Sequence, residues 1–212
     1  MGVYSDIQPL VLNGQRDPQQ AYAPHGYDLV VDTPSIAQAG PGRVALIFSR
    51  HGETAQRLGM PMLVGEWGAY GRHPNTLPAS WHVVHQFEKG LCSDTYWAYE
   101  HGIEQFPCFQ AIQRPFPERV AGTLLSYRTD PRNGVFECTW TEGGQIVAPS
   151  RIYLPDWFTV DTNEIELSPV AGGFDLVAIR PGSQSMYLSI PPAGKACTRH
   201  LVIGEQEPAS GR

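Results

Sequence analysis

The chain is 212 residues long, room for one large domain or two small ones. Apolar residues make up 42% and charged residues 17%, enough to bury a core and too apolar for a disordered chain. A net charge of -6 argues against a phosphate-binding surface, and 22 glycines with 19 prolines argue against an all-helical bundle. No apolar run approaches the roughly 20 residues of a membrane span. Met1 to Asp6 shows no basic segment leading into an apolar stretch, so no secretory signal is expected in these residues. The compartment stays open.

In chain order, residues 21–27 read as a short strand running into a loop. Val44, Ile47, Phe48, His51, Ala55 and Leu58 then recur at helical spacing, which predicts a helix over 43–58 stopped by Gly59 and Met60-Pro61. The short apolar run 61–65 predicts a strand buried on both faces of a parallel sheet. Leu77, Trp81, Val84, Phe87 and Leu91 predict a second helix over 77–91, followed by a strand at 95–99 and a short helix at 103–113. Strand alternating with helix favours a parallel sheet covered by helices.

The grammar changes at Arg114-Pro115-Phe116-Pro117. Short β-type runs follow at 124–128, 135–140, 151–154, 165–167, 174–179, 186–190 and 200–203, separated by Gly, Pro, Asp and Asn. That rhythm predicts an antiparallel β-sandwich over 114–204, with 205–212 as a flexible tail. The expected fold class is therefore α/β plus all-β, in two domains, 1–113 and 114–204. Cys92, Cys108, Cys138 and Cys197 have no metal-like spacing and read as free buried thiols, with a Cys138–Cys197 bridge left open.

The sharpest chemical feature is Leu63-Val64-Gly65-Glu66-Trp67-Gly68. A carboxylate directly after a buried strand, flanked by glycines, stands where the C-terminal face of a barrel presents it to a substrate. His25-Gly26-Tyr27 ends the preceding strand and Trp97 the following one. A carboxylate, a tyrosine hydroxyl to bond it, a nearby histidine and an aromatic plate for a sugar face together suit glycoside hydrolysis.

In that order, His-x-Tyr, Gly-Glu-Trp-Gly and Tyr96-Trp97-Ala98-Tyr99 resemble the sixth, seventh and eighth strand ends of glycoside hydrolase family five, a retaining (β/α)8-barrel group. Arg114-Pro115-Phe116-Pro117, Val120-Ala121-Gly122 and the β-rich remainder are similar to its endoglycoceramidase branch, in which a β-sandwich follows the barrel. The resemblance runs from about residue 20 to 203. It implies the C-terminal part of a (β/α)8 TIM barrel, with the last three strand–helix units at 1–113 and the sandwich behind them. It implies Glu66 as nucleophile, with Tyr27 as its hydrogen-bond partner, His25 as a pocket residue and Trp97 as the sugar platform. The implied substrate is a β-glycoside, a glycolipid cleaved between glycan and ceramide. No metal or organic cofactor is expected, because this mechanism needs carboxylates and water. Members of the family are often secreted.

The chain also departs from that family. The acid/base glutamate of its Asn-Glu-Pro motif has no counterpart; Asn163-Glu164 is followed by Ile165 and reads as a solvated turn. A whole barrel takes about 250 residues. The expectation is a C-terminal fragment without its acid, inactive alone, that self-associates or pairs with a missing N-terminal barrel half. Two other readings stay open. Arg50-His51-Gly52-Glu53 mimics a histidine-phosphatase signature, which requires 44–48 to be a strand. A non-catalytic carbohydrate- or lipid-binding sandwich would use Trp140 and Trp157 as exposed aromatics, although the sandwich core is the expected home of at least one of them.

Overall fold

The computed structural model describes residues 19–170 and 172–204, so the tail expected at 205–212 lies outside the described residues. The chain forms two compact units, Met1–Ile112 and Gln113–Arg212.

In the first unit, helix α1 (Pro41–Leu58) starts on Gly40 with Pro41 at its first position, where the fixed ring torsion suits a helix and the missing N–H costs nothing. Val44, Phe48, His51, Ala55 and Leu58 form its buried face. Gly59 ends it at φ 62°, its N–H returning to the carbonyls of Ala55 and Gln56. Residues 44–48 are thus helical, which removes the phosphatase reading. His51 is 2% exposed, with Nδ1 3.0 Å from the Tyr22 hydroxyl.

Strand β1 (Leu63–Gly68), helix α2 (Leu77–Gly90) and strand β2 (Ser93–Trp97) follow, and the two strands pair in parallel. On the other side of β1 the expected strand at 21–27 is reduced to two parallel bridges, Tyr22 with Met62 and His25 with Glu66. Pro24 between them has no N–H to continue the ladder. Helix α2 stops one residue early because Leu91 turns left-handed, at φ 48°, and is exposed rather than buried. The helix expected at 103–113 divides at Pro107 into a 3₁₀ turn (Ile103–Gln105) and a single α-turn, α3 (Phe109–Ile112).

One face of this sheet is packed. Phe48, Val64, Trp67 and Phe87 are buried, with Phe87 5.4 Å from Phe48 and 5.2 Å from Trp67, ring centre to ring centre. Gly26 lets the backbone pass close over α1: a Cβ there would lie 2.4 Å from the Phe48 ring. The other face is open. Leu63 is 36% and Trp97 53% exposed, so the run at 61–65 is not buried on both faces as expected.

The second unit is a sandwich of two antiparallel four-stranded sheets. One has the order β4 (Gly122–Asp130), β5 (Val135–Glu142), β10 (Cys197–Ile203), β7 (Ile165–Ser168). The other has the order β3 (Phe116–Arg119), β6 (Ser150–Leu154), β9 (Met186–Ile190), β8 (Asp175–Ala178). Residues alternate inward along β5 and β6, and Phe136, Trp140, Ile152, Leu154, Leu188, Ile190, Leu201 and Ile203 close one core between the sheets. Strand β3 escapes the sequence pattern because it contains Pro117, which a sheet tolerates on an edge strand such as this one.

Trp140 is fully buried and Trp157 packs against the same core, so neither is the exposed aromatic that a binding sandwich would use. Trp140 Nε1 donates to Glu142 Oε1 at 2.9 Å, and the same carboxylate accepts from Ala193 N–H and Arg199. Asn163-Glu164 lies in a 3₁₀ turn ahead of β7, with Asn163 exposed. All four cysteines are free, three of them buried, and Cys197 is half-buried. Cys138 stands opposite Leu201 and Cys197 opposite Glu142, four places apart along the paired strands, too far for a disulfide.

Candidate active site

Glu66 owes its direction to an irregularity in β1. Val64 stands opposite Asp94 and Trp67 opposite Tyr96, so Gly65 and Glu66 together face the single residue Thr95. The extra residue is also felt on the other side. Gly65 N–H donates to Pro24 O, and a regular parallel ladder would then bring Gly26 N–H to Gly65 O; it reaches Glu66 O instead, at 2.7 Å. This is a β-bulge, which re-aims side chains.

Strict alternation would put Val64 and Glu66 on one face. With the bulge, Val64 and Trp67 share the buried face, both at 0% exposure, while the Glu66 side chain is 29% exposed. Gly65 lies beside His25; an added Cβ would sit 3.6 Å from that ring.

Two side chains converge on one oxygen of Glu66. Tyr27 Oη donates to Oε2 at 3.0 Å, and His25 Nδ1 lies 3.2 Å from the same atom. Burial first, then the hydrogen bond to Glu66 and the carboxylate charge, push the Tyr27 phenol well above its ordinary range. It remains a donor across the pH range of ordinary enzymes. The segment after Tyr27 is pinned by Asp28, which is buried, accepts from Val30 N–H and pairs with Arg43 of α1 at 3.1 Å.

Trp97 stands one strand away, opposite Gly68, at the end of β2. Behind the site, Trp67 Nε1 donates to Asp94 at 2.8 Å, and Gly68, at φ 94°, leaves room for the Tyr96 ring, whose hydroxyl accepts from Tyr70 N–H. A groove lined by Phe48, Gly52, Gln56, Met60, Gln86 and Cys92 opens near the N-terminal ends of β1 and β2, away from Glu66. No cluster of three or more metal-ligating side chains occurs among the described residues.

The sequence thus pointed to His25, Tyr27 and Glu66, and the fold brings these three together. Trp97 lies at the neighbouring strand end and exposes its ring. Thr95, Asp94 and Asp28 were not singled out, since each works through hydrogen bonds to residues distant in the chain.

Residues 114–200 match the model of the Glycoside hydrolase family 5 C-terminal domain. No curated protein matches the chain. Among solved structures, it is similar to endo-glycoceramidase II from Rhodococcus sp. in complex with a five-membered iminocyclitol, with 22% identity and a TM-score of 0.68, covering 98% of this chain and 49% of that one. The same enzyme as its lactosyl-enzyme intermediate gives 21% identity and a TM-score of 0.68, over 98% and 48%. Sterylglucosidase 1 from Cryptococcus neoformans gives 13% identity and a TM-score of 0.59, over 87% and 38%. The chain therefore spans about half the length, or less, of the structures it matches. These findings bear out the resemblance to glycoside hydrolase family five and its endoglycoceramidase-like branch: residues 114–200 match the model of the family's C-terminal domain, and the chain shares its fold with about half of an endo-glycoceramidase.

Proposed function

We propose that the chain is part of a retaining β-glycoside hydrolase of endoglycoceramidase type, cleaving the β-linkage of a glycolipid, with Glu66 as nucleophile. The observation that supports this reading is the convergence of Tyr27 Oη and His25 Nδ1 on Glu66 Oε2, on a carboxylate turned to the open face of the sheet. Retaining hydrolysis needs an ionised carboxylate to attack the anomeric carbon and form a glycosyl–enzyme ester. Donors on Oε2 stabilise the charge and fix the rotamer, leaving Oε1 to attack. Trp97 stacks against the sugar ring. His25 lines the pocket.

In this reading the unit Met1–Ile112 is the closing portion of a (β/α)8 barrel. Its open face, with Leu63, Thr95 and Trp97, is barrel interior, and the outer edge of β2, without a strand partner among the described residues, is where the first barrel strand pairs. The general acid comes from that complementary half, because the mechanism needs a second carboxyl group about 5–5.5 Å from the nucleophile and the sequence has no Asn-Glu-Pro motif to supply it. The 212 residues by themselves are therefore inactive and either self-associate or pair with the complementary half.

The test is turnover of a glycosylceramide by these residues joined to the acid-bearing half. Glu66→Gln keeps the shape, removes the charge and abolishes turnover while glycan binding persists. Turnover retained in that variant contradicts the assignment.

A further inference from the structure

We infer that Thr95 is a positioning residue for Glu66, holding the bulge that turns this carboxylate to the open face; as far as catalysis is concerned, this rests on the function proposed above. A bulge disturbs the ladder that would otherwise satisfy the backbone carbonyls on both sides of it. Here the disturbance falls on Gly65. The N–H of Gly26, which would reach Gly65 O in a regular ladder, is spent on Glu66 O. The Thr95 hydroxyl donates to Gly65 O in its place, and Val64 O lies 3.4 Å from the same hydroxyl.

One side chain therefore bridges from β2 to two consecutive carbonyls of β1 at the place where two residues oppose one. Thr95 is the residue opposite the bulge, so its hydroxyl starts from the correct height on the neighbouring strand. A β-branched residue also suits a strand, with a restricted χ1 that keeps the hydroxyl near the carbonyls. Slipping the strand by one residue to restore a regular ladder would rotate Glu66 toward the buried face that Val64 occupies. The hydroxyl resists that slip by rewarding the bulged register alone. Both acceptors of the Thr95 hydroxyl are main-chain carbonyls. It acts through the backbone of Gly65.

Crystal structures of the 212-residue chain and two variants test the inference without any substrate. Thr95→Ser keeps the hydroxyl and should keep Tyr27 Oη and Glu66 Oε2 at the 3.0 Å seen here. Thr95→Val keeps the shape and strand preference, loses the donor and should separate that pair. An unchanged Tyr27–Glu66 contact in Thr95→Val overturns the inference, even if the variant is less stable. Should Thr95→Val not fold, the carbonyl ¹³C shift of Glu66, assigned with Glu66→Gln, decides between Thr95→Ser and Thr95→Ala. Equal shifts in both overturn the inference; a shift displaced in Thr95→Ala alone supports it.

A kinetic arm uses the residues joined to the acid-bearing half and a 2-fluoro-glycoside inactivator. Labelling of Glu66 should fall on the order of 100-fold in Thr95→Val, the loss expected of a misplacement near 1 Å, and recover in Thr95→Ser. Equal labelling rates in all three overturn the catalytic part. A wild-type protein that is never labelled, beside a Thr95→Val structure with Glu66 displaced, leaves Thr95's role standing and refutes the glycosidase reading instead.

Discussion

The sandwich of Gln113–Arg212 closes its apolar faces on each other, whereas the sheet of Met1–Ile112 is packed on one face and open on the other. The difference has a chemical counterpart. In the sandwich the buried Glu142 carboxylate faces Arg199 and also accepts from the Trp140 indole and the Ala193 N–H, so both its oxygens are committed inside the core. In the first unit the Glu66 carboxylate accepts from the Tyr27 hydroxyl, with His25 Nδ1 3.2 Å away, and its side chain is 29% exposed on the open side. The closed core stabilises, and in the function proposed above the open face reacts or pairs.

The contrast predicts unequal costs for truncating aromatic and aliphatic side chains. Trp140→Ala should lose about 3–5 kcal/mol, the usual cost of emptying a large aromatic site in a packed core. It also takes away a donor to Glu142. Urea unfolding measures it, and a loss below about 1 kcal/mol would mean that the sandwich core is looser than drawn. Next in size is Gly26→Ala, where the new methyl meets the Phe48 ring at 2.4 Å. Overpacking of this kind costs about 1–3 kcal/mol. Because Gly26 lies between His25 and Tyr27, the same variant should disturb Glu66, which the Tyr27–Glu66 distance in a crystal structure would reveal.

Alkaline titration distinguishes buried thiols from buried phenols, and the Cys108 thiol of the first unit, also pushed up by burial, responds in the same direction as Cys138. Burial pushes the Cys138 thiol from 9.0 up to about 12. A raised folded-state value means that this stability is fully present below pH 9 and is lost as pH rises toward 12. The phenols of Tyr27, Tyr70 and Tyr96 in the first unit are all raised above 10.0, chiefly by burial, so their contribution begins to fall only above pH 10. Cys138→Ala should therefore flatten the loss of stability between pH 9 and 10, whereas Tyr27→Phe should leave that interval unchanged. The smallest effect belongs to the open face: Leu63→Ala should change stability by no more than about 0.5 kcal/mol.

Much of this was legible in the sequence because it depends on spacing. The apolar positions of α1 and α2 recur every three or four residues, and Gly59 marks a stop that the fold uses. Glu66, Tyr27 and His25 were legible as motifs of short range. What was hidden depends on pairing. A bulge is one surplus residue relative to neighbours 30 and 40 positions away, and nothing local to Gly65-Glu66 announces it. Strand β3 was hidden by Pro117, whose meaning depends on being at an edge. Exposure was hidden too: Trp140 and Leu63 are both apolar, yet the first is fully buried and the second 36% exposed, because only one of their sheets is covered on that side.

The proposed attack of Glu66 on the anomeric carbon is tested most directly by a trapped intermediate. The residues described here, joined to the acid-bearing half, would be incubated with a 2-fluoro-β-glycoside and digested for peptide mapping. One glycosyl ester is expected, on the carboxylate of Glu66 within residues 62–72, absent from Glu66→Gln. A label on another carboxylate, together with an active Glu66→Gln variant, would contradict it.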